Sequence, residues 1–245
     1  MRAAPAAGDH DRVGNEGSHP RVTGVFVGES APFPPESDNS SDRSGILKRP
    51  IDGHVEVLPT GLAGDVNVER PPGDTDQAVC AYPVEHYRWW NERFAQAAIE
   101  DFGPSTFGEN LTVQNLLESQ VCVGDVFAVG TSLLEVSKPR GPCRKIGQRT
   151  GIPNLAAEMR RSLRTGWYMR VRRPGSFSRY CRFVLVERPS PGVTVELVAA
   201  TMYLRRQDLD SARRALTCDT LADNWRAVFE ARVAGHAEPA RPDRD

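Results

Sequence analysis

The sequence lacks the features that mark several large classes of protein. Its 245 residues include five cysteines, an odd and scattered set, so a disulfide framework is not expected and the thiols are expected to be reduced. No apolar run is long enough to cross a bilayer, and the first residues lack the apolar core of a secretory signal. Glycine-rich phosphate loops and the Gly-x-Ser-x-Gly nucleophile motif are also missing. We therefore predict a cytoplasmic protein with no membrane partner.

The charge balance and the spacing of the histidines argue against two further kinds of site, a general nucleic-acid-binding surface and a zinc site. The 31 Lys and Arg residues are balanced by 32 Asp and Glu residues, which gives a formal net charge of -1. A general nucleic-acid-binding protein would be clearly basic, so no nucleic-acid partner is expected. The five histidines are separated from one another and from any cysteine pair, whereas zinc sites need closely spaced ligands. No zinc site is predicted, and His54 and His86 are interpreted as surface or structural residues.

Composition divides the chain into four segments. Residues 1–20 are rich in Gly, Pro, Ala and charge without apolar periodicity, which predicts a disordered tail. Residues 21–190 contain many short β-forming runs with a few helical patterns between them, which favours a β-barrel with inserted helices. Residues 191–234 carry three short helical patterns, and residues 235–245 form a polar tail. The predicted fold is mainly β, with a three-helix appendage after the barrel.

Individual elements can be placed within that outline. The run 21–27 is bounded by turn-forming residues and predicts the first strand. A helix is predicted to begin near Pro83, because proline suits a first helical turn and an apolar stripe follows at helical spacing. The members of that stripe are Tyr87, Trp90, Phe94, Ala98 and Phe102. A second helix is predicted from the N-cap residue Asn154 to Gly166, and a strand with alternating apolar residues over 181–188.

One region concentrates positive charge. Residues 138–173 contain eleven lysines and arginines, and Glu158 is the single acidic residue among them. Such a concentration in a nearly neutral protein creates a local field that suits an anionic ligand. The alternative is a solvated face that is balanced by acidic residues elsewhere in the chain.

Cys143 lies inside this basic stretch, in the run Lys138-Pro-Arg-Gly-Pro-Cys143-Arg-Lys145. Thiolate is the reactive and metal-binding form of cysteine, and adjacent cations favour it. Two prolines and a glycine predict a stiff loop, and loops held by a rigid scaffold often carry functional residues. A small buried hydrophobic residue is the alternative interpretation, and it fits Cys122 and Cys181, which lie in strand patterns.

Several short motifs resemble those of one known family in order and spacing. They are Gly45–Pro50, Gly61–Asp65, Ala78–Pro83, Gly108–Leu111, Val123–Asp125, Pro139–Lys145 and Gly166–Val171. The chain resembles MOSC domain proteins over residues 21–190, and more narrowly the bacterial branch linked to hydroxylaminopurine resistance. That branch also carries a three-helix C-terminal appendage, in agreement with the helical patterns after residue 191.

The resemblance implies a β-barrel that binds or handles the molybdenum cofactor. It implies that Cys143 is the catalytic residue, which ligates molybdenum or carries sulfur as a persulfide. Members of the branch are associated with reducing N-hydroxylated compounds. An anionic small-molecule substrate or cofactor and an electron-donor protein are the expected partners. The residues predicted to bind the cofactor or substrate are Lys48, Arg49, Asp76, Glu109, Asn110, Arg140, Arg144 and Lys145.

The sequence departs from the family pattern at one motif. The family has His-Gly-Gly-x-Asp-Lys (or Arg)-Ala, where this chain has Pro72-Gly-Asp-Thr-Asp-Gln-Ala78. Pro72 replaces the histidine and can neither donate a proton nor bind a metal, while Asp74 and Gln77 replace a glycine and the cation.

Three functions therefore stay open. The first is molybdenum-cofactor-dependent reduction of N-hydroxylated or N-oxygenated small molecules. The second is metal-free sulfur chemistry at Cys143, either sulfur transfer or C–S bond cleavage, which the altered motif favours. The third is a non-enzymatic carrier of a pterin or another anion.

Overall fold

The computed structural model describes residues 19–35, 42–68, 74–95 and 100–239. The disorder predicted for the N-terminal tail therefore falls outside the described residues, apart from His19 and Pro20, and so do Pro72, Gly73 and Ala98. The strands are β1 (Arg21–Val27), β2 (Ala31–Pro32), β3 (Arg43–Ser44), β4 (Arg49–Pro50), β5 (His54–Leu58), β6 (Gly61–Leu62), β7 (Val79–Pro83), β8 (Leu111–Gln114), β9 (Val126–Val129), β10 (Ser132–Pro139), β11 (Trp167–Arg173), β12 (Gly175–Ser178) and β13 (Phe183–Glu187). The helices are α1 (Glu85–Phe94), α2 (Arg144–Thr150), α3 (Leu155–Ser162), α4 (Val195–Tyr203), α5 (Leu209–Leu216) and α6 (Asp223–Val233).

A curled eight-stranded sheet forms the body of the molecule, in the order β13-β9-β10-β11-β7-β8-β1-β4. Its neighbours pair antiparallel except β7 and β8, which run parallel. Backbone hydrogen bonds from Val22 N to Cys181 O (2.9 Å) and from Tyr180 N to Val22 O (2.8 Å) bring the two ends of the sheet together. The result is a mainly β half-barrel, which confirms the predicted fold class.

Two apolar clusters flank the sheet. The larger one joins strand residues such as Leu111 and Trp167 to Trp225 and Phe229 of α6, so the C-terminal helices share a core with the barrel. The smaller one is rich in aromatic residues and holds α1, α2 and α3 against the opposite side, with Trp90 fully buried at its centre. The chain from the end of β10 into α2 therefore runs between two packed layers.

The first predicted helix is shorter than its apolar stripe suggested. Pro83 is the last residue of β7, where it pairs with Val113, and the following Val84 N donates to Val113 O at 2.8 Å. These sheet contacts extend the strand, so the helix begins at Glu85 and ends at Phe94. Phe102 lies beyond the helix but still packs against Trp90, with ring centroids 6.0 Å apart.

Three other local predictions need correction. The basic loop is shorter than expected, because β10 extends to Pro139 and an unpredicted helix, α2, begins at Arg144. The second predicted helix, α3, ends at Ser162 and not at Gly166, because the next residue, Leu163, adopts the left-handed conformation (φ 58°). In β13 only Phe183 is buried, because this strand lies at an edge of the sheet and its later residues have no covering layer.

Capping residues define the C-terminal helices. Thr194 caps α4 by accepting from Leu197 N, and Asp208 caps α5 by accepting from Ser211 N. Beyond α6, Glu238 accepts from Arg232 and Arg206 (2.9 and 3.0 Å), which ties the beginning of the polar tail to the helices. None of the helices in the described part of the chain is long and apolar enough to span a membrane.

Candidate functional site

A cavity of about 450 Å³ opens where the end of β10, the turn into α2 and the start of α6 meet. Cys143, Arg140 and Lys48 line it, together with Cys80 of β7 and Tyr168 of β11. Its size is typical of sites that enclose a small molecule or cofactor. The structure therefore brings the cysteine of the basic stretch into a cleft with cations from two distant parts of the sequence.

Cys143 is held at the wall of this cavity by the backbone around it. It immediately precedes the first residue of α2, in an extended conformation (φ -106°, ψ 168°), and its side chain is partly exposed. The turn before it is fixed at both ends, because Arg140 N donates to Gly166 O (3.1 Å) and Arg160 Nη2 donates to Pro142 O (2.5 Å). The thiol is thus accessible from the cavity on a constrained loop, as the prolines and glycine predicted.

Among the cations that the structure describes, Arg140 is the one with two buried nitrogen atoms that lack a hydrogen-bond partner. Its residue exposure is 5%, and its Nε and Nη1 atoms have no hydrogen-bond partner. Burial alone would lower the Arg140 pKa, but the nearby acidic side chains of Cys80, Tyr168 and Cys143 outweigh burial and raise it above its usual value. A permanently charged, buried guanidinium with unused donors indicates that a negatively charged group belongs beside it.

The other cavity cations have protein partners. Lys48 forms an ion pair with Asp65, and both side chains are less than 10% exposed. Asp65 also accepts from Gly28 N and from Asn110 Nδ2, each at 2.7 Å, so the pair is fixed in place. Lys145 Nζ donates to Arg43 O at 2.7 Å. Lys48 and Lys145 therefore contribute to the wall of the cavity while being held by neighbouring groups.

The predicted binding residues separate into two groups. Lys48, Asn110, Arg140 and Lys145 line the cavity with Cys143. The structure does not bring the remaining four to its wall, because each has another location. Arg49 is exposed on β4, Asp76 pairs with Arg170, Glu109 accepts from Tyr87 in the aromatic cluster, and Arg144 is exposed at the start of α2.

Only some of the cations of the basic stretch, residues 138–173, come together at the cavity. Of its eleven cations, Lys138, Arg140 and Lys145 line the cavity. Several of the others serve the scaffold: Arg149 donates to the carbonyls of Ile46 and Ser105, and Arg164 lies 4.2 Å from the ring centre of Trp89. Arg170 pairs with both Asp76 and Glu135. Most of the charge that stood out in the sequence therefore organises the fold around the cavity.

Several cavity residues were not predicted from the sequence. They are Asp65, Asn67, Gln77, Cys80, Lys138, Tyr168, Asn224 and Trp225. Gln77 and Cys80 lie in or beside motifs that carried the resemblance, so proximity to those motifs was an available signal. Asn224 and Trp225 lie outside those motifs, so no such signal pointed to them.

The segment that departs from the family pattern reaches the cavity wall. The Asp74 carboxylate accepts from Asp76 N (2.7 Å) and from Gln77 Nε2 (2.9 Å), which fixes the turn. Gln77 lines the cavity at the position where the family pattern has a cation. A neutral amide, held by a carboxylate, thus replaces a positive charge at this point of the wall.

Potential metal ligands are dispersed over residues 19–35, 42–68, 74–95 and 100–239. In those ranges, no group of three or more His, Cys, Asp or Glu side chains is arranged to hold a metal ion. His86 is buried, with its Nε2 atom 2.7 Å from Glu118 Oε2, and Glu118 Oε1 accepts from Gly166 N. His86 is therefore part of the scaffold, while His54 is exposed on β5.

Cys80 makes a testable contribution to stability at alkaline pH. Burial raises its pKa from 9.0 to about 11, so the folded protein keeps the neutral thiol after the unfolded chain has ionised. The stabilisation is complete below pH 9 and is lost as the pH rises from 9 to 11, by an amount on the order of 2–3 kcal/mol. We expect the difference in unfolding free energy between wild type and Cys80→Ala to shrink over that range in denaturant titrations.

The difference in unfolding free energy between wild type and Cys80→Ala reports on the Cys80 thiol alone. Tyr82 and Tyr87 also have pKa values raised by burial, but their contributions are present in both proteins and cancel in the difference. A difference that stays constant from pH 8 to pH 11 would show that the thiol ionises equally in both states.

The fold and the cavity together describe a β-barrel protein with a cysteine-containing ligand site. It is built from a mainly β half-barrel and three C-terminal helices, and cations line the cavity beside the cysteine. Sequence comparison then identifies the family. Residues 63–187 match the MOSC domain, and residues 193–236 match the YiiM-like, 3-alpha helix domain. The chain belongs to the MOSC domain family, as the motifs predicted.

Relatives of known sequence or structure extend over most of the chain. Protein YiiM of Escherichia coli (strain K12) is 35% identical over 216 residues, which cover 87% of this chain and 93% of that protein. The crystal structure of YiiM from Geobacillus stearothermophilus is similar with a TM-score of 0.73 at 28% identity, covering 87% of this chain and 99% of that one. A protein of Gibberella moniliformis named "Reductase" is 36% identical over 169 residues, which are 68% of this chain but only 30% of that protein.

Proposed function

We propose that this protein is a molybdenum-cofactor-dependent oxidoreductase that reduces N-hydroxylated or N-oxygenated small molecules, with Cys143 as the protein ligand of the metal. The observation that carries the proposal is the accessible Cys143 thiol in a cavity that also holds the unsatisfied Arg140 guanidinium. Membership in the MOSC domain family and the relative named "Reductase" support the same class of chemistry.

The residues of the cavity fit the cofactor. A thiolate is a good ligand for a soft metal centre, and a single thiol suffices where the cofactor carries the other ligands. The buried Arg140 donors suit an anionic group of the cofactor, because guanidinium binds phosphate in two-pronged geometry. The amides of Gln77 and Asn224 add hydrogen-bonding groups of the kind that a polar ring system requires.

The chain's own residues would divide the work as follows. The cofactor, when bound, supplies the two electrons of the reduction, in which R–NHOH, two electrons and two protons give R–NH2 and water. Cys143 anchors it, and Arg140 stabilises negative charge beside the anchored thiolate. Cys80 remains a neutral thiol up to about pH 11, so it can donate a hydrogen bond within the cavity at physiological pH. The electrons come from a donor protein, which we propose as a partner.

Elemental and kinetic analysis of the purified full-length protein tests the proposal. The protein is expressed in a host that makes the molybdenum cofactor, and metal content is measured by mass spectrometry. We expect about one molybdenum per chain and reduction of an N-hydroxylated purine base by a chemically reduced dye. Protein that has neither molybdenum nor turnover would overturn the proposal, and tight pterin binding without turnover would indicate a carrier instead.

Metal-free sulfur chemistry is a second candidate, and one observation favours it. The cavity wall has the neutral Gln77 where the family pattern has a cation. Either the bound ligand differs from that of the family, or its binding does not need this cation. In this alternative Cys143 carries an extra sulfur atom as a persulfide and transfers it to an acceptor. Intact-protein and peptide mass spectrometry would then find a mass increase of one sulfur atom on Cys143 in protein that contains no molybdenum.

A further inference from the structure

The strand at one edge of the main sheet, β13, exposes apolar side chains that no described part of the chain covers. Val184, Leu185 and Val186 follow one another in this strand and are 48%, 42% and 49% exposed. Soluble proteins usually protect an apolar edge strand with charge, with a bulge or with another layer of structure. No residue of β9 or β13 lines the cavity of Cys143, so this surface is separate from the candidate functional site.

Strand register places an apolar row on the outer face of the sheet. Val184 of β13 lies opposite Ala128 of β9, and Ala128 lies opposite Leu133 of β10. Residues that pair directly across neighbouring strands point to the same side of a sheet. The barrel core lies on the other side, which is occupied by the adjacent residues Phe127 and Phe183. Because Ala128 and Leu133 are also partly exposed, the row is open to solvent across three strands.

A bulge in β13 places two opposite charges at equal distances from Val184. The register with β9 shifts by one residue in the second half of β13, so that Glu187 pairs with Val126. Val126 is two positions from Ala128, which puts Glu187 on the outer face at one repeat of the pleat from Val184. Arg182 is exposed two residues before Val184, so alternation puts it on the same face at one repeat in the other direction.

Both of these charges are available to a partner. Glu187 is exposed like Arg182, and in the part of the chain that the structure describes neither residue is held by an ion pair. Arg182 lies opposite Arg21 in β1, so its end of the face is positive, while the neighbouring Arg188 is paired with Asp125. A face that is apolar in the middle, positive at one end and negative at the other is complementary to a second copy of itself that is rotated about a twofold axis.

We propose that this outer face is the interface of a homodimer, in which a twofold axis passes beside Val184 and Arg182 of each protomer pairs with Glu187 of the partner subunit. The two sheets pack face to face with their β13 strands antiparallel, and the apolar rows are buried between them. The face is small for a permanent dimer, so we expect a dissociation constant on the order of 10 micromolar. The interface goes beyond the proposed function and does not depend on it.

The test measures the mass of the full-length protein by sedimentation and light scattering, at concentrations on both sides of that value. Arg182→Glu and Glu187→Arg each place like charges opposite one another, so each is expected to weaken association about tenfold or more. Combining the two substitutions in one chain restores opposite charges at both contacts and should restore the dimer. Mixing the two single variants should likewise give a heterodimer, because one copy then carries two acidic groups and the other two basic groups.

A control and a core substitution complete the experiment. Arg88→Glu reverses a charge that is 88% exposed on α1, away from this face, and should associate as wild type does. Val184→Glu puts a carboxylate beside the axis and should abolish association. Recovery on mixing requires two folded variants, so loss of association through misfolding is distinguishable. A wild-type protein that stays monomeric throughout, a dimer that the Val184 and charge variants leave unchanged, or single variants that do not associate when mixed would each overturn the proposal.

Discussion

Replacing Cys143 with serine is expected to reduce turnover by about a hundredfold or more and to leave the fold intact. Serine is nearly isosteric, but its hydroxyl stays protonated at neutral pH, so it can neither ligate a soft metal as thiolate does nor carry a persulfide. The Cys143 side chain lies partly exposed at the cavity wall, where it contributes little to packing. Activity and molybdenum or sulfur content would be measured beside the thermal midpoint of the same preparation.

Cys122 supplies the matched control for this substitution. It is 2% exposed, it bridges to Thr194, and its thiol lies outside the cavity. Cys122→Ser places a more polar hydroxyl at a buried position, so it is expected to cost about 1–3 kcal/mol of stability while the folded fraction keeps its activity. Cys181 is only half-buried and precedes β13, so its serine variant should be milder. Full activity of Cys143→Ser would contradict the assignment of this residue.

Asn110→Asp is expected to destabilise the fold by about 3–5 kcal/mol and to lower the thermal midpoint by roughly 10 °C. The Asn110 amide joins three parts of the structure: Oδ1 accepts from Cys80 N (2.9 Å), and Nδ2 donates to Phe26 O (3.2 Å) and to Asp65 Oδ2 (2.7 Å). A carboxylate at this position would face the Asp65 carboxylate and a carbonyl, with no proton to share at neutral pH. Scanning calorimetry or denaturant titration gives the change.

The same substitution at an exposed asparagine provides the comparison. Asn154 precedes α3, is exposed and makes no side-chain cap hydrogen bond, so Asn154→Asp should change stability by less than about 0.5 kcal/mol. Equal stability of Asn110→Asp and wild type would mean that the amide contacts are not needed to hold β7 and β1 beside the cavity.

Local pattern predicted the elements whose form depends on neighbours in sequence. The β-branched run 21–27 forms β1 at the expected residues, and the three helical patterns of residues 191–234 form α4, α5 and α6. Errors arose where sheet contacts from distant segments intervened. Pro83 suits the start of a helix, but pairing with Val113 extends β7 through it. The burial of β13 could not be read from alternation, because alternation does not show whether another layer packs on a strand, and only Phe183 of β13 is covered.

The motifs that identified the family are largely structural in their contacts. Glu109 accepts from Tyr87 and Ser105 N inside the protein, and Asp125 accepts from Cys122 N and from Arg188. Conformation and buried hydrogen bonds restrict such positions to one residue type, which makes them visible in sequence without placing them at the ligand. This is why Glu109 and Asp76 were predicted as binding residues although they lie away from the cavity wall.

The sequence alone determined the family, the mainly β fold with three C-terminal helices, and the position of Cys143 in a constrained, basic loop, since each depends on residues that are close in the chain. Only the tertiary structure decided which cations meet. Lys48 reaches the cavity from a distant strand region, and Lys138 meets Asn224 across 86 positions of sequence. A sequence does not show where a charged side chain points. Packing of the barrel against the C-terminal helices fixes that direction. Arg140 therefore keeps hydrogen-bond donors without partners in the cavity. Arg149, Arg164 and Arg170 are instead bound by other groups of the protein.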